Sequence, residues 1–199
     1  MKIEIHITVI SNDIDKFIND CKDLNVKPIV IELQLQDKLS EYQVMTSSKF
    51  EGDTYQEHLQ SLTKKLQSLG YTIVRQKVEI QPDANVPHVE HKYYESHLRL
   101  KFPKSYDIDE FQEAFKLMKF NDVWHLSKNT LKSDSEFFYQ MVTYRAKSTP
   151  FSNDINTFKL IIKCMESYLN IVKVEYDKVE IEECIYDSNM DLDSKWIKN

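Results

Sequence analysis

Hydrophobic and polar residues alternate almost from the first residue. In Ile3-Glu4-Ile5-His6-Ile7-Thr8-Val9, the aliphatic residues fall on one side of an extended chain and Glu4, His6 and Thr8 on the other, the period of a half-buried strand. The period then lengthens. Ile14, Phe17, Ile18, Cys21 and Leu24 recur at helical intervals behind Asp13, whose side chain suits an N-cap. Residues 27–35 and 41–50 read as two strands, interrupted after the second by Gly52-Asp53. Tyr55, Leu59, Leu62, Leu66 and Leu69 mark a second helix that stops at Gly70, a natural residue just past a helix end. Residues 71–80 read as a fourth strand.

The second half follows the same plan. A strand is predicted over about 93–102, and a helix carries Ile108, Phe111, Phe115 and Met118. Two strands follow near 123–127 and 137–146. A further helix carries Ile155, Phe158, Ile162, Met165 and Leu169, and the last strand runs from about 172 to 185. Local matches support a repeat. Glu-x-His occurs on the first strand of each half (Glu4, His6; Glu95, His97), and Asp-Ile-Asp-x-Phe occurs at each first helix. QVMTSSK at 43–49 resembles QMVTYRA at 140–146, and KVEI at 77–80 returns unchanged at 178–181. The expectation is an α+β protein, a tandem duplication of ferredoxin-like βαββαβ units. Each unit would be an antiparallel sheet with its helices on one face. Repeat 1 would span 1–81, a linker 82–92, repeat 2 93–185, and a C-terminal tail 186–199 would dock on the body through Trp196 and Ile197.

In such a sheet the strand-one residues pointing away from the helices are Glu4, His6 and Thr8, and in the second half Glu95, His97, Arg99 and Lys101. The neighbouring fourth strand offers Arg75, Lys77 and Glu79, matched by Tyr176, Lys178 and Glu180. Strand three adds Lys49 or Tyr144, depending on parity. One reading is a solvated sheet face held by cross-strand pairs such as Glu4 with Lys77. The other is a polar cleft between two open faces that takes a phosphorylated or carboxylated ligand, because guanidinium and ammonium groups pair with such anions. The residues assigned to that site are Glu4, His6, Thr8, Arg75, Lys77, His97, Arg99 and Lys101, with His6 and His97 as candidate acid and base.

Composition narrows the function classes. The formal net charge is −6 with the two signs interspersed, which argues against nucleic-acid or membrane-surface binding while leaving room for a local basic patch. The sheet aromatics on which RNA-binding relatives of the fold stack bases are replaced here by His and Glu. The three cysteines, Cys21, Cys164 and Cys184, show no paired spacing and point to a reducing, cytoplasmic setting without disulfides or a zinc site. The opening strand has no signal-peptide pattern, and no window reaches the length of a membrane helix. Ser47-Ser48-Lys49 and Ser127-Lys128 read as surface residues rather than nucleophile–lysine pairs. Asp187, Asp191 and Asp193 read as a solvated acidic tail. No metal site and no cofactor are expected.

His6-Ile7-Thr8-Val9 resembles the H-x-T/S-x motif of two-histidine phosphoesterases, which implies paired histidines acting as acid and base on a phosphodiester and a hydroxyl holding phosphate. Arg99 stands where the second motif would carry its hydroxyl. The Glu, Lys and Arg rows are similar, more faintly, to those of triphosphate tunnel enzymes, but the Glu-x-Glu-x-Lys run of that family is absent. The chain as a whole resembles an uncharacterised family of bacterial and large-virus proteins, through residues 5–8, 125–129, Tyr186, Asp187, Asn189, Leu192, Asp193 and Trp196. That resemblance implies no activity. The expectations that follow are a binding module for a small anionic ligand, a protein–protein or self-association module, or a two-histidine-like phosphoesterase.

Overall fold

The structure, a computed structural model, describes residues 2–34, 40–52, 54–81, 92–117, 124–132, 135–147, 175–192 and 197–198, with isolated positions at 156, 160 and 163. Side chains of 34, 40, 41, 175–180, 197 and 198 are not described. The elements are β1 (Lys2–Ile10), α1 (Ile14–Asp23), β2 (Lys27–Gln34), β3 (Ser40–Glu51), α2 (Tyr55–Ser68), β4 (Thr72–Ile80), β5 (Tyr93–Pro103), α3 (Ile108–Leu117), β6 (His125–Asn129), β7 (Phe137–Ala146), β8 (Glu175–Asp187) and β9 (Ile197–Lys198). Residues 82–91 of the predicted linker, Cys164, Trp196 and the stripe Ile155, Phe158, Ile162, Met165 and Leu169 of the second half's second helix lie outside the described residues.

Local signals were read correctly in the first half. Asp13 caps α1, its carboxylate accepting from Lys16 N at 2.9 Å. Leu69 closes α2, and Gly70 follows at φ 93, a conformation that a Cβ would strain.

The global expectation fails. Strands β1 to β8 do not form two separate sheets with free faces. They run in the order β5-β8-β4-β1-β3-β2-β6-β7, and β7 pairs with β5 to complete a closed ring. All eight pairings in the ring are antiparallel. A single antiparallel β-barrel therefore replaces the ferredoxin-like duplication. The physical reason lies at the edges. A four-stranded sheet leaves two rows of unpaired backbone groups. Here β4 meets β8, from Lys77↔Asp187 to Ile80↔Glu183, and β2 meets β6, from Ile31↔Asn129 to Leu33↔Ser127. Both pairings join residues from opposite halves of the chain. Closure removes the edges and turns what would have been two open faces into one enclosed lumen.

The apolar sides of the strands face outward, under helices. Ile3, Ile5, Ile7 and Val9 pack with Phe17 and Cys21 of α1 and with Leu59, Leu62 and Leu66 of α2. Leu98, Leu100, Phe102, Val142 and Tyr144 form a second cluster with Phe111 and Phe115 of α3 and with Trp124. Phe102 is stacked between the Tyr106 and Phe138 rings and meets Phe111 edge-on at 5.0 Å. The two hydrophobic clusters thus lie outside the barrel, and its inside carries the charged and polar residues together with Ile29, Ile31 and Leu33 of β2, Met45 of β3 and Met141 of β7. Among the described residues no helix is long and apolar enough to cross a membrane.

Phe111 is fully buried in the second cluster. Phe111→Ala is expected to cost about 3–5 kcal/mol, read as a fall in the urea midpoint. A loss below about 1 kcal/mol would contradict the outer-core arrangement.

Candidate functional site

The lumen follows from strand parity. Glu4, His6 and Thr8 of β1, Arg75, Lys77 and Glu79 of β4, Glu95 and His97 of β5, Thr143 and Arg145 of β7, and Glu182 of β8 converge on one cavity of about 180 Å³. Glu95, 1% exposed, anchors the group. Arg145 donates to both of its oxygens at 2.9 Å, a bidentate pair. Lys77 Nζ lies 3.2 Å from Oε2, and His97 Nε2 lies 3.0 Å from Oε1. Lys77 also reaches Glu79 at 2.7 Å, and Glu79 in turn holds His6 Nε2 at 3.1 Å. Isolated buried charges would be prohibitively costly, so they occur as an interlocked set of both signs.

The interlocking sets the protonation states. Burial opposes the charge on Glu79, but Lys77 overrides it and holds the carboxyl down to about 2. Burial likewise opposes Glu95, which Arg145 and Lys77 keep well below the usual carboxylate range. Desolvation works against Lys77, yet Glu79 and Glu95 raise its pKa. His97 is raised too, Glu95 outweighing the effect of burial. Glu182 goes the other way. Burial and the negative charge of Glu79 push it up to about 7. His97 Nε2 is 3.7 Å from Glu182, and its Nδ1 is 2.9 Å from Thr143 Oγ1. His6 Nδ1 is buried with no hydrogen-bond partner among the described residues, which leaves that nitrogen available to a group inside the lumen.

At the level of Thr8 and Arg75, which are paired across β1 and β4, the tail holds the guanidinium. Arg75 is ion-paired with Asp187, and Tyr93 OH bridges the two at 2.9 Å from each. Ser188 exchanges hydrogen bonds with the Gln76 backbone, and Asn189 Nδ2 reaches Val74 O at 3.2 Å. Asp187 is therefore a buried counter-ion, which corrects its assignment to a solvated tail. Ile197 and Lys198 pair with Arg145 and Ala146 of β7.

The opposite end opens into a larger cavity of about 550 Å³, which shares Glu4, Lys27, His97, Lys132 and Met141 with the lumen. Lys27, Lys49, Lys65, Arg99 and Lys132 line it, against Glu4 as the sole carboxylate among its lining residues. Glu4 is itself engaged, accepting from Ser47 Oγ at 2.6 Å and lying 3.6 Å from His6 Nε2.

Of the residues assigned from sequence, Glu4, His6, Thr8, Arg75, Lys77 and His97 all line the lumen, and Glu4, His97 and Arg99 line its mouth. Lys101 lies elsewhere, 3.8 Å above the Phe137 ring. The expected Glu4–Lys77 pair is replaced by Lys77 with Glu79 and Glu95, because Glu4 sits opposite Glu79 in the β1–β4 register. Lys49 lines the mouth, whereas Tyr144 is buried in the outer cluster against Trp124. Sequence reasoning missed Arg145, Thr143, Glu182, Lys27, Lys65 and Lys132. Arg145 and Thr143 were within reach, since Met141-x-Thr143-x-Arg145 keeps one parity along β7. Among the described residues no group of three His, Cys, Asp or Glu could hold a metal ion.

No family model matches the chain, and no curated protein does. Among solved structures, similarity is found to a mutant chlorite dismutase from Candidatus Nitrospira defluvii, 7% identical over 98% of this chain and 94% of that one, with a TM-score of 0.30. A heme-binding protein from Thermus thermophilus is 10% identical over 92% and 90%, with a TM-score of 0.28. Scores this low carry no argument about fold or chemistry, and the barrel rests on its own strand pairing.

Two outcomes follow from the network. Arg145→Met, which strands Glu95, is expected to destabilise by about 3–5 kcal/mol, while Lys49→Met at the exposed mouth changes stability by less than about 0.5 kcal/mol. Equal urea midpoints for the two variants would refute the network. The second outcome concerns pH. Glu79, depressed from 4.5 to about 2, contributes stability that is present above pH 4.5 and lost as pH falls toward 2. Glu182, raised from 4.5 to about 7, binds its proton in the folded state, so its contribution declines as pH rises from 4.5 to 7. Glu182→Gln is expected to flatten that decline and leave the acid limb intact. An unchanged slope in the variant would show that Glu182 titrates normally.

Proposed function

We propose that this protein binds a small phosphorylated anion at the mouth of its barrel. The observation that carries the reading is the charge imbalance of the 550 Å³ cavity, where Lys and Arg outnumber the one, already engaged, carboxylate. Inside the lumen the cations have resident carboxylates, Arg75 with Asp187 and Lys77 with Glu79 and Glu95. They hold the wall together. Lys27, Lys49, Lys65, Arg99 and Lys132 line the mouth, Arg99 also lying 5.1 Å from the Tyr139 ring centroid, and would meet the anion there. A cavity of this size suits an organic phosphate. His97 stands at the junction of the two cavities.

A second reading, hydrolysis of a phosphoester by His6 and His97, is supported by the unpartnered His6 Nδ1 and by the proton held on Glu182 near pH 7. Binding without turnover separates the two readings.

A thermal-shift screen of inorganic phosphates, sugar phosphates and nucleotides is expected to show a selective rise in midpoint. A ligand at about one hundred times its Kd adds about 2.7 kcal/mol. The rise should fall at least about tenfold in apparent affinity in Lys49→Ala/Arg99→Ala, roughly 1.4 kcal/mol. A flat screen would eliminate the anion site and favour a protein partner or self-association, for which sedimentation at several concentrations is the direct measurement.

A further inference from the structure

The mouth cavity has two compartments of different chemistry. On the lumen side lie Lys49, His97, Arg99 and Lys132. On the other side the cavity passes over β3 and reaches the turn after α1 and one face of α2. This passage exists because β2 begins at Lys27, opposite Ser47. Beyond Ser47, β3 pairs only with β1 among the described residues, up to Lys2↔Glu51. The barrel wall is therefore one strand short at this corner, and the lumen mouth continues into the space beneath α2.

That space is lined differently. Leu24, Val26 and Leu62 give it apolar walls, with Lys65 one turn further along α2. The His58 ring lies beside them, stacked on Phe50 with centroids 5.3 Å apart and planes 29° apart, and its Nε2 is 3.4 Å from Ser48 Oγ. Asn25, Ser48 and Ser61 supply hydrogen-bonding groups at its border. Apolar walls, a fixed aromatic ring and short polar side chains suit a flat heteroaromatic group with a hydrogen-bonding edge. Inorganic phosphate or polyphosphate could meet Lys65 here but would leave the apolar walls and the His58 ring uncovered.

We infer that the phosphorylated ligand is a nucleoside polyphosphate, with its base against His58, Leu24 and Leu62 and its phosphates toward Lys49, Arg99 and Lys132. This rests on the anion-site reading of the mouth. Several cations around the opening favour a di- or triphosphate over a monophosphate, since each added phosphate meets a further positive side chain. The purines and pyrimidines differ in their edges, so Asn25, Ser48 and Ser61 would set any preference among bases.

The test is isothermal titration calorimetry of the full chain with ATP, GTP, CTP, tripolyphosphate and adenosine, without added metal. At least one nucleoside triphosphate is expected to bind at least about tenfold more tightly than tripolyphosphate, because the base adds a stacking contact. His58→Ala is expected to remove about tenfold or more of that affinity and leave tripolyphosphate unchanged. Ser61→Trp, a change at an exposed helix position, should fill the compartment and produce the same split should the His58 variant not fold. Tripolyphosphate binding as tightly as every nucleotide, or both ligands weakening equally in the folded variants, would overturn the nucleoside inference while the anion site stands. Failure of every phosphate to bind would sink both.

Discussion

The Glu95 carboxylate is the point on which the architecture turns. It is one of the least exposed charges among the described residues, and Arg145, Lys77 and His97 reach it from three other positions on the barrel wall. A lone carboxylate at that depth would force itself neutral or force the wall open. With its cations in place, it fixes the register of β5 against β7 and draws β4 toward the same axis. A one-residue slip in β5 would place Glu95 and His97 among the phenylalanines of the outer cluster and Leu98 in the lumen. The alternation of side chains therefore commits each face of a strand to one side, with helix-covered hydrocarbon outside and compensated charge inside beside the aliphatic residues of β2.

This arrangement explains how much of the protein was legible from its residues. The Ile3–Val9 alternation, the Asp13 cap and the α2 stripe all report local periodicity, and the chain obeys them. The row Glu4, His6, Arg75, Lys77, His97 was recognisable as one that a hydrocarbon core could not explain, and those side chains do meet. What periodicity cannot report is which strand edges find each other. The β4–β8 and β2–β6 pairings join residues far apart in sequence, and nothing in Val78 or Leu33 announces its partner. The ferredoxin-like reading stopped at the edges for that reason, with two open faces where the protein has an interior.

The same omission misjudged individual residues. Asp187 looks like tail acid in the sequence because its partner, Arg75, lies over a hundred positions away. Lys27 and Lys132 look like ordinary surface lysines until ring closure brings a β2 terminus and the turn after β6 to one opening. Glu182 carries no sequence mark of its raised pKa, which arises from burial and the nearby Glu79. Conversely, Lys101 keeps the parity of Arg99 but lies beyond the cavity, where an aromatic ring takes its charge.

Several ion pairs of the lumen cross between the two halves of the chain. Arg75 of the first half pairs with Asp187 of the second and Lys77 with Glu95, while Lys77 with Glu79 and Arg145 with Glu95 pair within their own halves. Each half thus carries counter-ions for the other. A second half folded by itself would leave Asp187 without Arg75 and Glu95 without Lys77. The two halves therefore close one barrel together, whatever their local likeness, through strand edges and counter-ions that pair across them.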